Sequence, residues 1–276
     1  MAGRKSGYNL RRGLNSKHGL VSGWTPEELF TGGSSGSVWY DPSDMDTLFV
    51  DGVGTKVTAS GQAVYAMYDK SGNNYHQFQT TAGSRPIFRI SGTRRYLEFP
   101  NTSARMTTSG NISLNPRTCH AWCMFATTDT ATQFYRFGSM GQASGNDTTG
   151  NAVFALYLQN SGAGSPRRFG FRSSATGLDL FHSDTVPVPR STYAYTFNAN
   201  ASGLYLNGDF LGSDNSFPAM ATATNGVFGI GAHINNNTPA GTGPFVGEWY
   251  GYLHLGRLPN ATEIANMDAW CASRIA

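Results

Sequence analysis

From Val38 onward the sequence is a series of short apolar runs cut by turn residues, and that spacing leaves few folds open. Val38–Tyr40 runs into Asp41-Pro42-Ser43-Asp44, and Ala63–Tyr68 runs into Asp69-Lys70-Ser71-Gly72-Asn73-Asn74. Tyr96–Phe99 places Leu97 and Phe99 on one face. His120–Ala126 alternates, with Ala121, Cys123 and Phe125 on one side and Trp122 and Met124 on the other. Both sides are apolar, which predicts a central strand covered on both faces. Gln133–Phe137, Ala152–Gln159, Arg167–Arg172, Tyr193–Asn198, Gly203–Leu206, Phe210-Leu211, Gly226–Ala232 and Gly247–Leu255 continue the series. Asn207-Gly208 between two of these runs is a two-residue hairpin signal. Roughly a dozen short strands with no helices between them predict an all-β two-sheet sandwich.

One helix is predicted, over 260–274. Asn260 is placed to cap it, Glu263 completes a capping box, and Ile264, Met267, Trp270 and Cys271 form an apolar stripe that packs on the sandwich.

Composition agrees with this. Charged residues make up 13% of the chain, about half the usual share. The 5 Trp, 13 Tyr and 17 Phe residues can fill a core, whereas disordered chains lack aromatics and carry more charge. The net charge of +3 is too small to point to a nucleic-acid partner for the whole chain. It is unevenly placed, however: Arg4, Lys5, Arg11, Arg12 and Lys17 precede the first acid, Glu27.

Residues 1–36 therefore read as an extended basic arm ending in a Gly/Ser linker, interrupted by a capped turn at Thr25–Phe30, with the sandwich and its helix over 37–276. Tyr8 and Leu10 sit between the basic pairs as apolar anchors, which favours docking of the arm onto a protein partner over disorder or nucleic-acid contact. Cys119 and Cys123, four residues apart on one strand, stand roughly 13 Å apart and cannot bridge each other. With Cys271 they are expected to be reduced thiols in a cytosolic product. No run reaches the length of a membrane span. The basic start has no apolar core of a signal peptide.

Two segments resemble a known family. Tyr193–Asn198 followed by Gly203-Leu204-Tyr205-Leu206-Asn207-Gly208-Asp209-Phe210-Leu211-Gly212 resembles the hairpin of laminin-G and concanavalin A-like domains, and Val227–Ala232 with Pro244–Leu253 resembles their closing strands. Trp39–Asp44, Thr47-Leu48-Phe49, Val57-Thr58-Ala59, Tyr68–Asn74 and Arg85-Pro86 resemble the first half of sandwich domains common in tailed-bacteriophage structural proteins. The likeness covers about residues 37–274 and leaves the arm unmatched.

It implies a concanavalin A-like two-sheet jelly-roll sandwich in a non-catalytic virion structural protein: a capsid decoration or cement protein, a head fibre or a tail component. The arm (Arg4, Lys5, Tyr8, Leu10, Arg11, Arg12, Lys17) would anchor it to phage capsid or tail proteins. It would be a homo-oligomer with a trimer as leading state, assembled in the bacterial host cytoplasm and located in the virion. The alternative is a carbohydrate-binding adhesion module for host surface glycans, and a third reading is a glycanase.

Some relatives of this fold cleave β-glucans with a Glu-x-Asp-x-x-Glu strand, whose carboxylates share one face. Neither Glu98 nor Glu248 begins such a motif, and Asp179 and Asp184 read as isolated loop residues. No catalytic residues are therefore expected. His18, His76, His120, His182, His233 and His254 show no ligand spacing. Gly229-Ile230-Gly231 lacks the following helix of a dinucleotide site. No cofactor is expected. Asp69, Asn73 and Asn74 supply turn oxygens as calcium candidates, though ordinary Asx turns use the same residues. Tyr135, Tyr157, Phe181, Asn235, Asn236 and Asn237 are the glycan-binding candidates, read as lying near loops.

Overall fold

The computed structural model describes residues 23–31, 35–114, 118–127, 134–141, 154–159, 167–173, 178–184, 188–198, 201–214, 224–235, 238–240 and 245–276. The strands are β1 (Val38–Tyr40), β2 (Leu48–Phe49), β3 (Ala66–Met67), β4 (Gln77–Phe78), β5 (Ile87–Ser91), β6 (Arg94–Phe99), β7 (Met106–Thr108) and β8 (Ile112–Leu114). They continue as β9 (Thr118–Thr127), β10 (Phe134–Gly141), β11 (Phe154–Gln159), β12 (Arg167–Ser173), β13 (Leu178–Asp184) and β14 (Val188–Asn198). The last are β15 (Ala201–Leu206), β16 (Asp209–Asp214), β17 (Thr224–Ile230), β18 (His233–Asn235), β19 (Thr238–Ala240) and β20 (Gly247–Leu255), followed by helix α1 (Ala261–Ile275).

Two antiparallel sheets face each other. The first runs β16-β15-β14-β9-β20-β6-β5, with β1 added beside β20, and the second runs β13-β12-β11-β10-β17-β7-β4-β3-β2, with β8 beside β17. The chain is thus an all-β two-sheet jelly-roll sandwich with a C-terminal helix. Strands outnumber the sequence expectation because the short β2, β3, β4, β7 and β8 pair for only two or three residues. Asp179 and Asp184 lie in β13, not in loops. The alternation Leu178-Asp179-Leu180 is a strand pattern that the neighbouring Ser and Gly residues obscured. Among the described residues no helix is long and apolar enough to cross a membrane.

The inner core lies between the sheets and includes Phe125, Phe137, Phe228, Trp249 and Tyr252. The rings of Phe125 and Phe137 stack 3.6 Å apart. A second apolar layer covers the opposite face of the first sheet: Trp39, Trp122, Met124, Leu253 and Leu255 pack against Met267, Trp270 and Cys271 of the helix. β9 therefore alternates between two dry environments, as its sequence predicts. Trp122 has Ala194 and Leu253 as its cross-strand neighbours, and the small alanine leaves room for the helix. Each such fully buried side chain stabilises the fold by roughly 1.5–3 kcal/mol. All three cysteines are buried, and none is in a disulfide.

The predicted helix and hairpin both form. Asn260 Oδ1 accepts from the Thr262 and Glu263 N–H groups, and the Glu263 carboxylate accepts from the Asn260 N–H. Asn207 and Gly208 have φ of +50° and +86°, as a turn with two left-handed residues requires.

The turn at Thr25–Phe30 is a 3-10 helix over Pro26–Phe30, and it packs on the sandwich. Leu29 is buried in the second layer. Phe30 stacks on Trp39 at 5.7 Å, and Trp270 meets Trp39 edge-on at 6.2 Å. Lys70 Nζ lies 4.1 Å from the Trp39 ring centroid and 2.7 Å from Asp44. Trp270→Ala removes the helix's edge-on contact with Trp39, and is expected to lower stability by about 3–5 kcal/mol in a denaturant titration. A loss below about 1 kcal/mol would mean that the helix is not part of the cooperative fold.

Candidate binding site

At the border of the second layer, where α1 stops covering the first sheet, the apolar packing gives way to a cavity of about 210 Å³. Arg190 and Thr192 of β14, Asn207 and Gly208 of the β15–β16 turn, and Asp268, Ala272 and Ile275 of α1 line it. Three rigid elements thus converge: a strand fixed by its ladder, a two-residue turn and a capped helix.

The turn is held by a reciprocal pair of hydrogen bonds. The Asn207 N–H donates to the Thr192 carbonyl at 2.8 Å, and the Thr192 N–H donates to Asn207 Oδ1 at 2.9 Å. Asn207 thereby keeps its left-handed backbone, and its Oδ1 is taken up by Thr192. Gly208 brings the turn against the helix: a Cβ there would stand 3.2 Å from Asp268 Oδ2.

Asp268 occupies an unusual place. Ile264, Met267, Asp268 and Cys271 share one helix face at i, i+3, i+4 and i+7, so the carboxyl sits inside an apolar stripe. Its Oδ1 accepts from the Trp122 indole N–H at 2.9 Å. Burial pushes its pKa up to about 6, against the opposing pull of that indole donor. Since the folded pKa lies above the unfolded one, the stability contribution is fully present at low pH and falls as pH rises from about 4 through about 6. The charged form therefore costs on the order of 2–3 kcal/mol at neutral pH.

Arg190 closes the other side. Its Nε donates to Tyr250 Oη at 2.7 Å and to Glu248 Oε2 at 3.1 Å, and the Tyr250 hydroxyl donates to the same Glu248 oxygen. Burial first, and Glu248 second, push the Tyr250 phenol upward, so it remains a donor. The two Nη groups of Arg190 bond none of the described residues. Glu248 lies directly across from Glu98, Arg89 pairs with Glu98, and Tyr96 packs on Tyr250 at 5.1 Å. A carboxylate pair thus arises from two strands, which spacing along one strand could not reveal. Each carboxylate is held by its own arginine.

The residues singled out from sequence fall elsewhere. Arg4, Lys5, Tyr8, Leu10, Arg11, Arg12 and Lys17 lie outside the described residues, as do Asn236 and Asn237. The backbone of Asn235 is in β18. Tyr135, Tyr157 and Phe181 stand within strands β10, β11 and β13 rather than beside loops. Tyr157 pairs with Arg136 and Gly170, and Gly170 with Phe181, while Tyr135 pairs with Leu158 one step along. Their side chains lie outside the described set.

Asp69 is a loop fastener. Its oxygens accept from the Trp39, Ser71 and Tyr75 N–H groups and from the Ser71 hydroxyl. Asn73 Nδ2 donates to the Ser37 carbonyl, and Asn74 is exposed with φ of +60°. Among the described residues no group of three His, Cys, Asp or Glu side chains forms a metal-holding cluster.

No family model and no curated protein matches the sequence. Solved structures do match. Domain 4 of AbnA, a GH43 extracellular arabinanase from Geobacillus stearothermophilus, in complex with arabinotriose, is similar over 76% of this chain and 100% of that one, with TM-score 0.50 at 12% identity. Trypanosoma rangeli sialidase is similar over 84% of this chain but only 32% of its own, with TM-score 0.53 at 9% identity. A weaker likeness, TM-score 0.42 at 18% identity, links 54% of this chain to 81% of the Ruminococcus gnavus IT-sialidase CBM40. At these identities the likeness is one of fold.

Asp268→Asn keeps the Trp122 bond and removes the buried charge. It is expected to raise stability by about 1–3 kcal/mol at pH 7 and to change it little near pH 4. Urea melts at the two pH values check this, and equal effects at both would remove the charge argument.

Proposed function

We propose that this chain is a non-catalytic glycan-binding sandwich. The carrying observation is the cavity lined by the polar Arg190, Asn207 and Asp268 beside apolar Ala272 and Ile275. A few oriented polar groups in a concave, partly apolar site suit a hydroxyl-rich ligand. Asp268 supports the reading as well, because a charge held at a stability cost is characteristic of functional sites. One fold neighbour matched along its whole length is a domain whose structure is a complex with arabinotriose, which fits the same class of ligand. A hydrolytic role is disfavoured by the arginine partners of Glu98 and Glu248, which suit a fixed ion-pair array better than an acid–nucleophile couple.

A glycan array followed by calorimetry tests this. Arg190→Ala and Asp268→Ala are each expected to weaken binding tenfold or more, by the roughly 1.5–3 kcal/mol of a hydrogen bond to a charged group. Failure of the native protein to retain any glycan would overturn the reading. Glycan cleavage that disappears in Glu98→Gln or Glu248→Gln would show an enzyme instead.

A second reading concerns where the sandwich is displayed. The likeness of residues 39–86 to tailed-phage sandwich domains, and the basic segment ahead of Gly23, favour a virion structural protein anchored through residues 1–22 to capsid or tail proteins. The packed 3-10 turn would fix where that segment leaves the sandwich. Deleting residues 1–22 leaves the turn intact and is expected to abolish incorporation into particles while the sandwich stays folded. Undiminished incorporation, measured by quantitative immunoblot of purified particles, would sink the anchoring role.

A further inference from the structure

The polar groups of the cavity also constrain the kind of sugar. Resting on the glycan-binding reading, we infer that the pocket takes one neutral sugar ring, with the anionic carboxylate of Asp268 accepting its hydroxyls, so that attachment weakens on acidification.

Size supports a single ring. The cavity of about 210 Å³ is smaller than the roughly 300–1,000 Å³ of pockets that hold drug-sized ligands. It is bounded by the Asn207–Gly208 turn and by α1, so the rest of a longer glycan must lie outside it.

Charge argues for neutrality. Among the described residues Arg190 is the one cation lining the cavity, and Glu248 already faces it at 3.1 Å. An acidic sugar would bring a second carboxylate into a pocket that holds Asp268 and has no uncompensated cation. A neutral ring instead meets donors and acceptors in balance. The Arg190 Nη groups and the Asn207 amide donate to ring or hydroxyl oxygens, and Asp268 Oδ2, which bonds none of the described residues, accepts from hydroxyls. A carboxylate accepts more strongly than a neutral carboxyl, which gives up one acceptor site to carry its proton.

The surroundings of Asp268 leave it as the group that titrates. On its own helix the Cys271 thiol is buried and pushed upward, first by burial and then by Asp268. From β9 the Trp122 indole contributes a neutral N–H. His120, whose ring lies 4.1 Å from that of Trp122, is driven down to about 3 by burial and stays neutral. From β14 and the turn come Arg190, which is always charged, and the neutral Thr192, Asn207 and Gly208. Burial raises Asp268 to about 6, so the loss of affinity falls across that range. If only the charged form binds, affinity near pH 5 is about one-tenth of its value above pH 7.

The full chain is titrated calorimetrically with a panel of neutral oligosaccharides and with uronate- and sialate-bearing ones, at about pH 7.5 and about pH 5. The expected result is binding of neutral sugars about tenfold weaker at the lower pH. Asp268→Asn, checked for folding by circular dichroism, is expected to bind weakly and equally at both values. Preference for acidic sugars, or affinity that rises on acidification, would overturn the inference while leaving glycan binding intact. So would pH-independent binding by the native protein. Binding of no sugar at either pH would remove the glycan-binding reading and this inference with it.

Discussion

Strand β9 offers neither face to water, and that constraint organises the chain. An antiparallel sheet can leave one side wet, but Trp122 and Met124 on one side and Cys123 and Phe125 on the other are all buried. The second sheet covers one side. Something else must cover the other, and the chain provides it from both directions in sequence: the 3-10 turn at Pro26–Phe30 from the front and α1 from the back. Trp39 is where the two covers meet, with Phe30, Trp270 and Lys70 around one indole. The first sheet is therefore the middle of three layers, and residues 24–30 belong to the sandwich energetically although a Gly/Ser stretch follows them.

The pocket is a consequence of how that third layer ends. A single helix is narrower than the sheet it covers, so along β14 and the β15–β16 turn the apolar cover runs out. There the structure changes from tryptophan packing to Arg190, Asn207 and Asp268 within a few residues. Trp122 joins the two regimes, with its ring in the apolar layer and its N–H on the Asp268 carboxylate. Removing that donor would leave a half-buried carboxylate with one partner fewer, so the core and the site are coupled through one hydrogen bond.

The sequence made the architecture legible because each strong signal was local. Alternation in His120–Ala126, the Asn207-Gly208 turn and the Asn260/Glu263 box are all contained within a few residues, and the structure has all three. The shortest strands were not legible, since two-residue pairings such as those of β2 and β3 depend on partners far along the chain. The candidate site was mostly hidden for the same reason. Arg190, Asn207 and Asp268 come from three separate segments, and Asn207 reads from sequence only as a turn residue. One signal was present: Asp268 falls at i+4 from Ile264 on the stripe that packs on the sandwich, and an acid in a buried stripe needs a reason. Tyr135, Tyr157 and Phe181 lie in strands because turn residues near them in sequence do not locate loops in a sheet-rich fold.

Asp268 is also the residue at which stability and binding pull in opposite directions. A leucine or asparagine at 268 would suit the helix stripe better, because burial penalises the carboxylate at neutral pH. The fold tolerates it because Trp122 gives it one good hydrogen bond and because Gly208, lacking a Cβ, lets the turn approach without closing over Oδ2. A side chain at 208 would crowd Oδ2 and shut the opening from the turn side. The open approach to a half-buried, half-satisfied carboxylate therefore depends on two choices at once, an acid where the core wants none and a glycine where the turn touches the helix. Neither improves packing, and together they leave a charged oxygen at the edge of the cavity.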